Sequence, residues 1–251
     1  MRLIQLTDCH LQADANQLFK GCDPEARLTQ VLAHIQTSTD PYDLLLLTGD
    51  LVHHGYPSGY QRLAGYLGDM AAQACWLPGN HDDVAEMQRY KQLLTKEHHI
   101  GAWYILLLDS TSQPDGVGTG SISDSEFRWL KKRLDKLGHQ TNILIALHHP
   151  PVDVGSAWQD AIKLGNAKAF IDLVASYPAV KLVLCGHLHQ EHHLACAQAQ
   201  LLVTPATAPQ FKMAMDEPMI ENDDRLSLPS YRVIDLYPTG EFETCVHRVS
   251  I

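Results

Sequence analysis

The sequence predicts an α/β protein. Short apolar runs alternate with amphipathic stretches through the first three quarters of the chain, and the last quarter holds apolar runs with no helix between them. Scale agrees: 251 residues, 45% hydrophobic and only 19% charged, can bury a sizeable core and are too apolar to stay disordered.

The elements follow in order. Residues 3–7 form the first expected strand. Asp23 and Pro24 cap and start a helix in which Leu28, Val31, Leu32 and Ile35 recur at i, i+3, i+4 and i+7. A strand at 43–48 is followed by a helix with Tyr60, Leu63 and Leu67 on one face and Ser58 at its start. Strands are expected at 74–77 and 103–109, with His98 and His99 in a surface loop between them. Ser123 and Glu126 match a capping box opening a helix through Phe127, Leu130 and Leu134. Strands at 142–148 and 180–185 complete the alternating part. Runs at 194–204, 231–236 and 242–249 then read as strands that add antiparallel pairs. The proline-bearing stretch 206–229, acidic at 221–224, reads as an excursion or flap on a single domain spanning 1–251.

Charge narrows the function classes. Nineteen Lys and Arg against 29 Asp and Glu leave a net charge of −10, which argues against a nucleic-acid partner. The apolar stretch before Asp8 is too short for a signal-peptide core, and no run reaches the roughly 18 apolar residues of a membrane span. Six scattered cysteines without a Cys-x-x-Cys pair read as reduced, packed thiols, pointing to a cytoplasmic protein. The 15 histidines stand out, because imidazole is a common metal ligand.

Polar groups recur where strands end. Asp8 and His10 follow the first strand, Gly49-Asp50 the second, and Gly79-Asn80-His81-Asp82 the third. His148-His149-Pro150-Pro151 and Gly186-His187-Leu188-His189 end two later strands. Ligands of open α/β sheets bind at that edge, so these groups are expected to converge. In an extended segment side chains alternate, so Asp8 and His10 should point one way and Cys9 the other, with His187 and His189 paired likewise around Leu188. Carboxylate, imidazole and amide oxygen without thiolate suit manganese, iron, zinc or cobalt. Gly49 and Gly186 let the backbone turn close to the site.

In this order, the five blocks resemble the signature of the calcineurin-like metallophosphoesterases. They span residues 8–189, and the Gly-Asn-His-Asp-Asp and Leu-His-His-Pro-Pro-Val forms are most similar to the class III cyclic nucleotide phosphodiesterases, the bacterial 3′,5′-cyclic AMP type. The resemblance implies a metallo-dependent phosphatase fold, two mixed β-sheets packed as a sandwich and flanked by helices. It also implies two metal ions per chain, iron and manganese first. The first ion would be held by Asp8, His10, Asp50 and His189, the second by Asp50, Asn80, His148 and His187, with Asp50 bridging. His148 is preferred to His149 as the ligand because a residue and then proline follow it. A metal-bridging hydroxide would attack the phosphodiester of a small cyclic nucleotide, and His81 would hydrogen-bond or protonate the leaving oxygen. Asp82 would orient His81 or cap the following helix, while Asn80, His81 and His149 would touch substrate. The net charge of −10 counts Asp8 and Asp50 without their metals, so an acidic chain can still hold a cationic phosphate site.

Two rivals remain at this point. One is a phosphodiesterase of other preference, for a glycerophosphodiester, a 2′,3′-cyclic nucleotide or a nucleotide-lipid. The other is a non-catalytic metal-binding scaffold, whose mark would be a broken ligand set. His53 and His54 follow Asp50 and could line the pocket. His192 and His193 read as exposed on a strand, and Cys9 and Cys185 as core. Residues 153–165 and the methionines 213, 215 and 219 are candidates to cover the substrate. No pattern specifies an oligomeric state.

Overall fold

The computed structural model describes residues 1–38, 40–138 and 141–250. Eleven strands and six α-helices are described: β1 (Arg2–Leu6), α1 (Pro24–Ser38), β2 (Leu44–Thr48), α2 (Pro57–Leu67), β3 (Ala74–Leu77), α3 (Val84–Met87), β4 (Glu97–Ile100), β5 (Trp103–Leu107), α4 (Asp124–Leu137), β6 (Asn142–Ala146), α5 (Ala157–Asp160), α6 (Ala167–Ala175), β7 (Val180–Cys185), β8 (His192–Cys196), β9 (Ala199–Val203), β10 (Ser230–Leu236) and β11 (Phe242–Arg248). They build two mixed sheets, one ordered β11-β10-β1-β2-β3 and the other β4-β5-β6-β7-β9-β8. The expected α/β sandwich of the metallo-dependent phosphatase type is therefore present.

Alternation along each strand feeds three apolar layers. On β2, Leu44 and Leu46 point between the sheets, where they join Ile105, Leu144 and Leu184, while Leu45 and Leu47 face α1 and α2. On the far side, Leu130 and Leu134 of α4 and Phe170 and Val174 of α6 cover the second sheet. Ser123 Oγ accepts the Glu126 N–H at the start of α4, as the capping pattern predicts. Beneath the strand ends, a buried polar plug ties the two sheets together. Gln5 donates to Thr48 Oγ1 (2.8 Å) and to the Cys185 carbonyl (3.0 Å), and Thr204 Oγ1 donates to Gln5 Oε1 (2.6 Å). Arg232 Nε in turn donates to Thr204 Oγ1 at 2.9 Å.

Three local readings are corrected. Residues 194–204 are not one strand but the hairpin β8/β9, reversed where Ala197 takes φ 53°. His98 and His99 lie in edge strand β4 rather than a loop: Gly101 (φ 58°) turns the chain back, and His99 stacks on Tyr104 at 4.1 Å. On β8, His193 is exposed as expected, but His192 is buried and bonded to Gln190 Oε1. No α-helix or β-strand occurs in 206–229. That segment is pinned by the buried Arg27, which donates to the carbonyls of Thr207 (2.8 Å), Ala208 (3.3 Å) and Ser227 (2.7 Å).

Candidate metal centre and substrate cavity

The carboxyl ends of β1, β2, β3, β6 and β7 meet at one place, which brings the five sequence blocks together. The backbone there is not the extended one that side-chain alternation assumed. Asp8 (φ 53°), His10 (49°), Asp50 (52°), His187 (72°) and His189 (53°) are all left-handed. Alternate residues in that region produce the same-side projection, and Cys9 and Cys185 still pack into the core. Non-glycine residues in such a conformation cost about 1–3 kcal/mol each, so the surrounding bonds must hold them. They do: Asp8 N donates to Gly49 O (2.9 Å) and His10 N to Asp50 O (2.9 Å). Space is equally constrained, because a Cβ on Gly186 would collide with Thr7 Oγ1 and come within 2.7 Å of Asp8 Oδ2.

Side-chain bonds fix which nitrogen each histidine offers. A carbonyl only accepts, so a ring nitrogen facing one must carry the proton. His148 Nδ1 faces Thr48 O (2.8 Å), His187 Nε2 faces Ile162 O (3.1 Å) and His189 Nδ1 faces Pro209 O (2.6 Å). Their other nitrogens point inward. His187 Nδ1 and His148 Nε2 are 3.2 Å apart, and His10 Nε2 and His189 Nε2 are 3.0 Å apart. Between His148 and His187 both facing nitrogens carry lone pairs, which require a cation between them, whether a proton or a metal; the His10 proton is fixed by no carbonyl, so its Nε2 either donates to His189 or shares a metal with it.

The carboxylates complete both sets. Asp50 Oδ2 lies 3.3 Å from His148 Nε2 and 3.7 Å from His10 Nε2, so one oxygen faces both groups. Asp8 Oδ1 lies 3.4 Å from His189 Nε2, while Oδ2 accepts from Thr7 Oγ1 (2.6 Å) and the His187 N–H (2.9 Å). Asn80 Oδ1 is buried with no hydrogen-bond partner among the described residues, as expected of an acceptor awaiting a cation. These observations fit a pair of divalent ions. Burial disfavours the His148 imidazolium, but Asp50 and Asp8 outweigh it and lift the pKa to about 9. Burial pushes His187 down to about 3. Asp50 and Asp8 thus favour positive charge at His148.

The remaining predicted site residues divide. His81 opens onto the cavity, 5.0 Å edge-on to His10, and burial lowers its pKa. Asp82 does neither expected task. Its half-buried carboxylate accepts the N–H groups of Leu51, Val52 and Gly79 and the Tyr60 hydroxyl, clamping the β2 and β3 loops together. Burial and the nearby Asp50 charge raise its pKa to about 6. The helix cap is Asp83, which accepts from Ala85 and Glu86. His149 is wholly buried behind His187, with Nδ1 on Ser110 Oγ (2.8 Å), and is absent from the cavity lining. His148 is the member of the pair that faces the carboxylates. His53 and His54 do line the cavity, and His53 Nδ1 meets His10 Nδ1 at 3.1 Å.

His10, Asp50, Asn80, His187 and His189 form the floor of a cavity of about 520 Å³, with Asp8 and His148 buried behind them. Trp158 and Ile162 from the predicted 153–165 loop, and Phe211 and Pro218 from the 206–229 segment, supply its apolar wall. Met213 and Met219 are exposed and lie outside that lining. Phe19 and Lys20 also face it and were not foreseen, because the 11–23 stretch carries no period that would mark them. No helix among the described residues is long and apolar enough to cross a membrane.

Converging Asp, Asn and His donors on a two-sheet sandwich define a metal-dependent phosphoesterase, and comparison with known proteins agrees. The family model for calcineurin-like phosphoesterase matches residues 1–191, and the chain belongs to that family of dinuclear metal phosphodiesterases. Over 250 residues, 98% of this chain and 89% of the relative, it is 34% identical to the 3′,5′-cyclic adenosine monophosphate phosphodiesterase CpdA of Pseudomonas aeruginosa. It is 36% identical to a 3′,5′-cyclic-nucleotide phosphodiesterase of Nostoc sp., across 98% of this chain and 92% of that one. A dimetal phosphatase of Danio rerio superposes with a TM-score of 0.61 over 99% of both chains at 12% identity, a likeness of fold alone.

Proposed function

We propose that this chain hydrolyses 3′,5′-cyclic AMP to 5′-AMP. The observation that carries the reading is the pair of opposed imidazole sets meeting at Asp50 Oδ2, with Asn80 Oδ1 left unpartnered beside them. Asp8, His10, Asp50 and His189 would hold one ion, and Asp50, Asn80, His148 and His187 would hold the other. The oxygen and nitrogen donors without thiolate favour iron and manganese, with zinc or cobalt also accommodated. When bound, the two ions supply a nucleophile from water and positive charge for the phosphoryl oxygens.

The chain's own groups do the rest. The polar plug and the clamp made by Asp82 keep the donors in register, so little rearrangement accompanies reaction. His81 lines the cavity beside His10, where the ribose O3′ departs as the P–O3′ bond breaks. Burial favours its neutral form, so its N–H hydrogen-bonds the charge that develops on O3′ while water in the cavity supplies the proton that completes the 3′-hydroxyl. The 206–229 segment serves as one wall over the substrate rather than as a separate domain. Six free thiols support a cytoplasmic setting.

The test is kcat/KM across 3′,5′-cyclic nucleotides, 2′,3′-cyclic nucleotides, glycerophosphodiesters and monoesters with manganese added. Cyclic AMP should lead by about tenfold or more. A glycerophosphodiester or 2′,3′-cyclic nucleotide in first place would overturn the proposal.

A further inference from the structure

The floor of the cavity accounts for a phosphate, while its outer half faces something else. Phe19 and Cys22 exchange backbone hydrogen bonds (2.9 and 3.0 Å) around a two-residue turn, Lys20-Gly21, whose φ values are 47° and 83°. Such turns favour Asn or Gly at the position Lys20 occupies, so a lysine is held there in an unfavoured conformation. The turn aims its ammonium at the cavity, 5.4 Å from the Phe19 ring centroid and 5.2 Å from that of Phe211. Among the described residues no carboxylate takes this charge, and Lys20 is the one Lys or Arg lining the cavity. Phe211 meets Trp158 edge to face, with centroids 5.1 Å apart and planes at 73°. Its other neighbour is the donor His189, at 5.0 Å, so the aromatic corner begins directly beside the metal centre. Ile162 and Pro218 extend the apolar wall.

We propose that Lys20 and the Trp158–Phe211 corner form a base subsite, which selects phosphodiesters of a nucleoside over those without a base. A flat ring stacks on one of the two aromatic side chains and meets the other, set at 73° to it, edge-on, and its ring nitrogens offer acceptors to an ammonium that can only donate. Glycerol or a lone sugar offers no π-face, and an acyl chain leaves the ammonium without an acceptor. The inference rests on the proposed cyclic nucleotide activity and adds which residues recognise the base.

The test compares cyclic AMP with an abasic ribose 3′,5′-cyclic phosphate on the manganese-loaded wild-type, Lys20→Met and Trp158→Leu proteins. Lys20 is exposed, so its variant should fold even if that of the half-buried Trp158 does not. Each variant should raise KM for cyclic AMP by about fivefold or more, the scale of one lost base stack, with kcat nearly unchanged. The abasic ester should lose less than about twofold, which separates base recognition from general damage. If wild-type protein cleaves cyclic AMP but the variants treat both esters alike, the subsite is overturned alone. If wild-type protein ignores cyclic AMP, the functional reading falls and takes the subsite with it.

Discussion

Thr7 exposes how far the metal centre depends on its buried support. Its hydroxyl donates to Asp8 Oδ2 at 2.6 Å, with the Thr48 carbonyl 3.2 Å away, and both Thr7 and Asp8 are fully buried. Thr7→Val keeps the shape and deletes the donor. The affected oxygen retains one partner, the His187 N–H at 2.9 Å. A hydrogen bond to a charged group contributes about 1.5–3 kcal/mol, and a second-layer partner of a metal ligand typically governs about 10–100-fold in affinity. Since about 1.4 kcal/mol corresponds to tenfold, the two scales agree. Manganese binding to the metal-stripped protein, followed by equilibrium dialysis, should therefore weaken about 10–100-fold in Thr7→Val. Thr7→Ser, which restores the hydroxyl, should recover most of it. Wild-type affinity in the valine variant would refute the claim that Thr7 sets the geometry of Asp8.

Other expectations follow from the same geometry. His81→Ala should keep both metals and lose more kcat on an alkyl ester than on an aryl ester with a good leaving group; equal losses would remove its role at the leaving oxygen. His148 must shed a proton to bind metal, and its metal-free pKa is about 9, so apparent affinity should climb about tenfold per pH unit from 7 and flatten above 9. A flat profile across that window would contradict the assignment of His148. Arg27→Met releases the carbonyls of Thr207, Ala208 and Ser227, so limited proteolysis should cut 206–229 faster while KM for cyclic AMP rises. Unchanged cleavage would mean that Arg27 does not anchor that wall.

The convergence of the five polar blocks was legible because each sits just past a strand, where strand order and backbone direction bring them to one edge. Which of their members would hold metal, Asp8, Asp50, Asn80, His148 and His187 among them, came from the resemblance to the calcineurin-like metallophosphoesterases. Legibility failed where local pattern is silent. The left-handed backbone at Asp8 and His10 arises from long-range bonds to the β2 loop, and nothing in Asp-Cys-His announces it. Asp82 looks like a catalytic or capping residue in the sequence, yet tertiary contacts with Leu51, Val52 and Tyr60 make it a clamp. His98 and His99 lack the apolar content of a strand, but pairing with β5 recruits them. Phe19, Lys20 and Phe211 come from irregular segments, whose meeting depends on turns at Lys20-Gly21 and on the bridge from Phe211 to Ile220.

The central claim is that two ions share Asp50, and a titration of metal-stripped protein with manganese tests it most directly. Bound metal and cyclic AMP hydrolysis are followed together. Wild-type protein should take up two equivalents per chain, with hydrolysis saturating only as the second binds, and Asp50→Ala should lose both. Saturation at one equivalent, or full activity with two metals in Asp50→Ala, would contradict the account.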